Sequence, residues 1–301
     1  MIELTIIVPC HNRPDYVQEL SETIPDLPNL EVIFVDDHSQ MNVFPTRAFK
    51  NAHIKKITQK SDKRGVALAR NTGLEYAHGT WCIFCDDDDL LEPEELKKTL
   101  SGLKKMPDAV DIVYCSLTSF KPNGETGKRH ISYAWLHSKM LSGEMKAAWR
   151  FHTPTSKAIK LSFLKHHNVW FKPNTFSEDA IFNAELLSHK PKIDVLNTAF
   201  YKIREGHESM TSDMTPSKLV KRLEALTVYN KILTASGAKE MRSPGGKDLV
   251  NLFKANPLKG LETAFILKWK KTPLFFTRWS ITNKIQYKSS TRNKSGREHR
   301  T

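Results

Sequence analysis

No uninterrupted apolar run in this 301-residue chain approaches the roughly 20 residues that a bilayer-crossing helix needs. The sequence therefore offers no membrane span. No signal peptide is expected either. Met1-Ile2-Glu3-Leu4 carries an acid where a secretion signal carries basic residues, and the first apolar run stops at Pro9. Cysteine is scarce: Cys10, Cys82, Cys85 and Cys115 fit a reducing compartment and offer no disulfide framework. Cytoplasmic residence is the expectation. No glycine lies between Pro9 and Pro14, in the loop that follows the first predicted strand. A nucleotidyltransferase, which needs a glycine-rich phosphate loop there, is disfavoured. There is no internal repeat, and no recognition motif accompanies the basic residues, so a nucleic-acid partner is not expected.

Cys82 and Cys85 have the C-x-x-C spacing of a redox pair. Such a pair sits at a helix N-terminus. Here the spacing falls on an apolar strand-like run, where residues three apart face opposite ways, so buried thiols are the expectation.

What is present is an alternation of strands and helices. Leu4–Val8, Leu30–Val35, Ile54–Ile57, Trp81–Cys85 and Ile112–Cys115 read as buried strands. Between them, Asp15–Ile24, Gly65–His78 (with Gly79 suited to its C-cap) and Glu94–Lys105 have helical spacing. The pattern predicts an α/β fold with a mostly parallel, doubly wound sheet whose carboxyl-end loops gather at one edge. Lys121–Pro154 is expected to be a loop or lid on the acceptor side. Ser156–Ile159 and Ile193–Tyr201 are expected strands, and Leu161–His167 a short helix. Ser177 is expected to cap a helix that opens with Glu178 and Asp179. Residues 216–236 and 246–271 are expected to be helices.

The net charge of +13 is uneven. Lys247 to Thr301 holds thirteen Lys and Arg against three acids, so residues 1–246 carry only +3. Leu258, Leu261, Phe265 and Trp269 lie among lysines at helical spacing, and Leu274, Phe275, Phe276, Trp279 and Ile281 continue the apolar content. Basic plus aromatic predicts an interfacial element on an anionic membrane leaflet. The plain alternative is a helical cap with a solvated basic end.

The most unusual stretch is Phe84-Cys85-Asp86-Asp87-Asp88-Asp89, an apolar run that ends in four adjacent carboxylates. Such a cluster is either a solvated turn or a holder of a hard cation, which prefers oxygen ligands.

Five segments occur in order: Ile7 to Arg13, Val35-Asp36-Asp37-His38-Ser39, Ala69-Arg70-Asn71-Thr72-Gly73, Phe84 to Asp89, and Ser177-Glu178-Asp179. Together they resemble the family 2 glycosyltransferases of GT-A fold, of the kind that build bacterial surface polysaccharides. The resemblance covers residues 1–210, which it makes a nucleotide-sugar-binding catalytic domain; 211–301 is then a helical, basic extension. His38 stands where the family commonly has Gly, and His11 where it often has Tyr; neither change removes a ligand.

The resemblance implies an inverting transferase that uses a UDP-sugar and Mn²⁺ or Mg²⁺, with a glycan or lipid-linked acceptor at the inner face of the cell membrane. It implies that Pro9, His11 and Asn12 line the base pocket and that Asp36 and Asp37 bind the nucleotide, Asp37 through the base. Arg70 faces the diphosphate or the donor sugar. Asp86 and Asp87 are placed with the nucleotide, Asp86 on the ribose side, and Asp88 ligates the metal, although Asp87 and Asp89 leave the assignment within the run open. Asp179 is the catalytic base, with Glu178 orienting the site or touching the acceptor. His207 is a further metal ligand, and Arg204 meets the diphosphate. Each has a plain alternative: an Asx turn at Asp36-Asp37, a surface arginine, acidic capping of a helix, a surface histidine. A module that binds sugar nucleotides without catalysis is the rival from another class; the presence of both Asp88 and Asp179 counts against it.

Overall fold

The structure is a computed structural model that describes residues 1–173, 175–206 and 215–274. It divides into two compact units. The first comprises Met1–Asn174 and Glu185–His207; the second comprises Thr175–Ala184 and the described residues from 215 onward.

The first unit opens with β1 (Leu4–Cys10), α1 (Pro14–Thr23), β2 (Leu30–Asp36) and β3 (His53–Thr58). It continues through α2 (Val66–Tyr76), β4 (Trp81–Phe84), the short β5 (Leu90–Leu91), α3 (Pro93–Leu103), β6 (Ile112–Tyr114) and β7 (Leu117–Phe120). Then come α4 (Ile131–Leu141), β8 (Lys157–Lys160), α5 (Leu161–His167), the end of α6 (Glu178–Ser188), whose residues up to Ala184 belong to the second unit, β9 (Ile193–Val195) and β10 (Tyr201–Arg204). The main sheet runs β3-β2-β1-β4-β8-β6-β9. β3, β2, β1 and β4 are parallel neighbours, while β8 lies antiparallel between β4 and β6. This is the predicted mostly parallel α/β sheet. Every residue of β1 is buried, as are the first six of β2, because helices cover both faces of such strands.

Gly73 sets how closely α2 lies on the sheet. A Cβ at Gly73 would stand 2.3 Å from Ile7 Cγ2. Ile7 is β-branched and fully buried, so it has no rotamer into which to retreat. Gly73→Ala is expected to destabilise the fold by about 1–3 kcal/mol through overpacking, measured as a lowered midpoint in urea. An unchanged midpoint would mean that α2 shifts without cost. All four cysteines are buried, and burial pushes each thiol well above its ordinary range. They are packing residues, as expected.

Four local expectations need correction. Gly79 does not cap α2, which ends at Tyr76 with Ala77 as its C-cap; Gly79 instead gives room to β1, since a Cβ there would meet the Thr5 amide at 2.7 Å. The presumed lid is ordered: α4 and a 3-10 turn at Met145–Arg150 occupy it, and α4 buries Leu136, His137 and Met140. The His137 ring bonds the Leu196 carbonyl at 2.9 Å. Ile193–Tyr201 is not one strand. β9 extends the main sheet, the chain crosses over with Ser116 N–H bonded to Thr198 O, and β10 joins a second sheet, β5-β10-β7. Ser177 stands at the N-cap position as expected: it directly precedes α6 (φ 56°), and its carbonyl accepts from the Ala180 and Ile181 amides. The predicted helix 246–271 is two, because Pro257 has no N–H to continue the first.

The second unit contains α7 (Pro216–Ala235), α8 (Gly246–Ala255) and α9 (Pro257–Trp269). Asn256 caps α9, its side chain accepting from Lys259 N–H at 3.0 Å. Leu219, Leu223, Leu249, Leu252 and Leu267 form the core of this unit. Among the described residues no helix is long and apolar enough to cross a membrane.

Candidate active site

The carboxyl ends of β1, β2 and β4 lie side by side, with Asp37 N–H bonded to Cys10 O and Cys85 N–H to Ile7 O. In a parallel sheet this edge collects ligands. The predicted residues of the first unit come together here, but they do different jobs.

Asp36 makes the Asx turn that its sequence allowed: its Oδ1 accepts from Ser39 N–H at 3.0 Å. Asp37 is buried, and both of its carboxylate oxygens accept from the Gly65 amide, at 3.0 and 2.9 Å. Gln59 Nε2 also donates to it. Pro9 is a buried strand residue paired with Val35, so only His11 and Asn12 stand in the loop proper. Asn12 takes the left-handed region (φ 52°) that Asn tolerates. Its amide donates to Ser39 Oγ, and its Oδ1 accepts from Gln40 N–H. Asn12 Nδ2 and Arg64 Nη2 both meet His11 Nε2. That network assigns the proton of a neutral ring to Nδ1, which faces the Asp37 carbonyl at 2.9 Å.

The four aspartates separate into two pairs. Asp87 and Asp89 are buried, only 7% and 6% exposed. Asp87 accepts from His11 N–H at 3.0 Å and pairs with Arg13 at 3.2 Å. Burial pushes its carboxyl up to about 6, against the pull of the His11 amide and Arg13. Asp89 accepts from Tyr201 Oη–H at 2.6 Å and from Arg204 N–H at 2.8 Å. Burial, then the charge of Asp86, raises it as well. These two hold the turn.

Asp86 and Asp88 keep side chains that are 40% and 23% exposed. Asp86 pairs with Arg70 Nη2 at 2.8 Å, and its amide donates to Tyr201 Oη at 3.0 Å. Asp88 pairs with Arg13 Nη1 at 2.6 Å. Their accessible carboxylate oxygens suit a hard divalent cation. Among the described residues no three His, Cys, Asp or Glu side chains converge as a ligand cluster.

Arg70 is buried on α2, with its guanidinium 5.0 Å from the Phe171 ring centroid. Phe171 is fixed in turn by Asn71, whose side-chain amide makes paired bonds to the Phe171 backbone at 2.8 and 2.9 Å. Arg204 ends β10 rather than lying in a loop. Its Nε donates to the Asp88 carbonyl, its Nη2 pairs with Glu19 at 2.6 Å, and the guanidinium lies over Tyr16 and Phe120. The guanidinium anticipated at a diphosphate is thus engaged within the protein. Glu178 and Asp179 occupy the first turn of α6, where acids favour the helix dipole. His207 lies outside the described residues, as do Phe275, Phe276, Trp279 and Ile281 of the tail.

Three positioning residues had no role assigned from sequence: Arg13, Asn71 and Tyr201. Arg13 and Asn71 lie inside segments that carried the resemblance. Tyr201 gave no signal, since its partner Asp89 is 112 positions away.

Comparison with known proteins is decisive for the family. The profile of glycosyl transferase family 2 matches residues 5–178, more than half of the chain. The chain belongs to glycosyltransferase family 2. Relatives within reach include the minor teichoic acid biosynthesis protein GgaB of Bacillus subtilis, 27% identical over 69% of this chain and 24% of its own length. The poly(ribitol-phosphate) beta-N-acetylglucosaminyltransferase TarS of Staphylococcus aureus is 24% identical over 76% of this chain and 41% of its own. The chain thus spans between about a quarter and two-fifths of the length of these two relatives. The crystal structure of S. aureus TarS with UDP-GlcNAc superposes with a TM-score of 0.58 at 17% identity, covering 86% of this chain and 75% of that one. The mannosyltransferase PcManGT of Pyrobaculum calidifontis, solved with GDP-Man and Mn²⁺, gives 0.53 at 16% identity, covering 88% and 78%. At these identities the superpositions show the fold, and the fold of this family 2 member is GT-A.

Proposed function

We propose that this chain transfers a sugar from a UDP-sugar to a hydroxyl of a glycan or lipid-linked saccharide, with inversion at the anomeric carbon. The observation that carries the reading is the pair of partly exposed carboxylates, Asp86 and Asp88, flanked by Arg70 and Arg13 at the sheet edge. A diphosphate leaving group gains negative charge as the glycosidic bond breaks. Cations fixed at that point stabilise the transition state more than the ground state.

Asp88 would hold Mn²⁺ or Mg²⁺, with Asp86 on the ribose side and His207 as a further ligand. Such an ion is commonly carried by one or two carboxylates plus substrate phosphates; when bound, it supplies charge neutralisation at the leaving group. Asp36 and Asp37 bind the nucleotide, Asp37 through the base, in a pocket lined by Pro9, His11 and Asn12. Arg70 faces the diphosphate, and Arg204 reaches it only by leaving Glu19. Asp179 takes the proton of the acceptor hydroxyl as that oxygen attacks, and Glu178 orients the site. The relatives named for teichoic acid and poly(ribitol-phosphate) suggest a cell-surface polymer as acceptor. An anionic membrane surface at the cytoplasmic face is the proposed partner of the basic C-terminal residues.

A thermal-shift screen of nucleotide sugars with and without Mn²⁺ tests the donor. A UDP-sugar at one hundred times its Kd would add about 2.7 kcal/mol of apparent stability, or roughly 4 °C for a chain of this size. The shift should be larger with Mn²⁺. A response to GDP- or dTDP-sugars alone overturns the donor assignment, and no response to any overturns the reading.

A further inference from the structure

α9 is apolar on two opposite faces. Gly260, Thr263 and Leu267 are buried at spacings of three and four and face the core of the second unit. The approach to α8 is close: a Cβ at Gly260 would stand 2.6 Å from the Phe253 ring. Leu258, Leu261, Phe265 and Trp269 recur at three, four and four on the other side, where they are 81%, 51%, 72% and 82% exposed. Single exposed apolar residues are ordinary, but a contiguous stripe with two aromatics marks an interaction surface.

We infer that this outward stripe of α9 inserts into the interfacial region of an anionic lipid surface, with Leu258, Leu261, Phe265 and Trp269 as the inserted groups. The inference rests on the proposal that the basic C-terminal residues meet a membrane, and it moves the main contact from charge to one helix face. Two arguments favour lipid over a second copy of the chain. The first is charge: residues 215–274 hold twelve Lys and Arg against four acids. Two copies pressed together here would set that excess against itself, whereas an anionic leaflet complements it. Lys268 flanks the stripe and can lay its stem along it with its ammonium group at the headgroups, while Lys259 pairs with Glu262 at 2.8 Å.

The second argument is area. α9 has 13 residues and so is about 20 Å long. Its four exposed side chains, of which the two aromatics offer at most about 150–250 Å² each, fall short of the roughly 800 Å² per partner of a stable protein interface. Insertion into lipid has no such minimum. A tryptophan at the end of the helix also suits the membrane–water boundary.

Flotation of the full chain with vesicles tests this. One set is phosphatidylcholine alone and the other contains about one-third phosphatidylglycerol, an anionic fraction able to attract basic segments. The expected result is binding to the anionic vesicles, lost at least tenfold in both Phe265→Ser/Trp269→Ser and Leu258→Ser/Leu261→Ser. Because these side chains project into solvent, the variants should keep the circular dichroism of the parent chain. Equal binding by the parent and both variants overturns the stripe and leaves the basic contact standing. No binding by the parent overturns both. A dimer in light scattering that the Phe265→Ser/Trp269→Ser variant dissociates overturns the lipid assignment in favour of a second copy.

Discussion

Asp179→Asn is expected to lower transfer by about two to four orders of magnitude, the range removed with a general base. It should leave the thermal shift given by UDP-sugar intact. The substitution keeps the shape of the side chain and its capacity to accept a hydrogen bond, but an amide cannot take a proton at neutral pH. The acceptor hydroxyl then remains a poor nucleophile, while donor binding, which depends on other residues, is unaffected. The plain alternative is that Asp179 is only a first-turn acid complementing the dipole of α6. That role is worth a few tenths to about 1 kcal/mol of stability and nothing in turnover. Steady-state kinetics and a melting curve on the same variant separate the two. A large fall in kcat with little change in melting supports the base; unaltered kcat with lowered melting sinks it.

Much of this was legible because the informative signals were local. The β-branched runs at Leu4–Val8 and Leu30–Val35 had no alternative to burial, and the sheet edge followed from where they stop. Leu161–His167 is the α5 predicted from sequence. The misreadings share a physical cause, which is that partners far away in the chain decide them. Ile193 to Tyr201 is mostly apolar, and the bonds of its middle residues to Ser116 and to the side chain of Glu95 send its ends to different sheets. The aromatic stretch at 134–149 read as a lid, yet Leu136 and Met140 share one face of α4 and are buried. Nothing within reach of the four aspartates told them apart. Their partners Arg13, Arg70, Tyr201 and Arg204 lie between 16 and 115 positions away, and those partners set which carboxylates face inward.

That division yields a prediction in which neighbouring, chemically identical residues fail differently. Asp88→Asn is expected to cost about two to three orders of magnitude in kcat, as loss of one electrostatic group at a developing charge typically does, and to weaken the response to Mn²⁺. It should scarcely change stability. Its pairing with Arg13 involves a guanidinium that is 43% exposed, and such pairs contribute little after solvent screening. Asp89→Leu is expected to do the opposite in order of cause. It leaves the buried Tyr201 hydroxyl and the Arg204 amide without their acceptor, at roughly 1–3 kcal/mol for each group. The turn that presents Asp86 and Asp88 would loosen with the fold. Activity would then be lost as a consequence of lost stability, visible first in the urea midpoint. EDTA should abolish turnover of the parent chain without moving that midpoint. If the parent keeps full activity in EDTA and Asp88→Asn keeps its kcat, the exposed carboxylates hold no catalytic cation, and neutralising the leaving group falls to Arg13 and Arg70 alone.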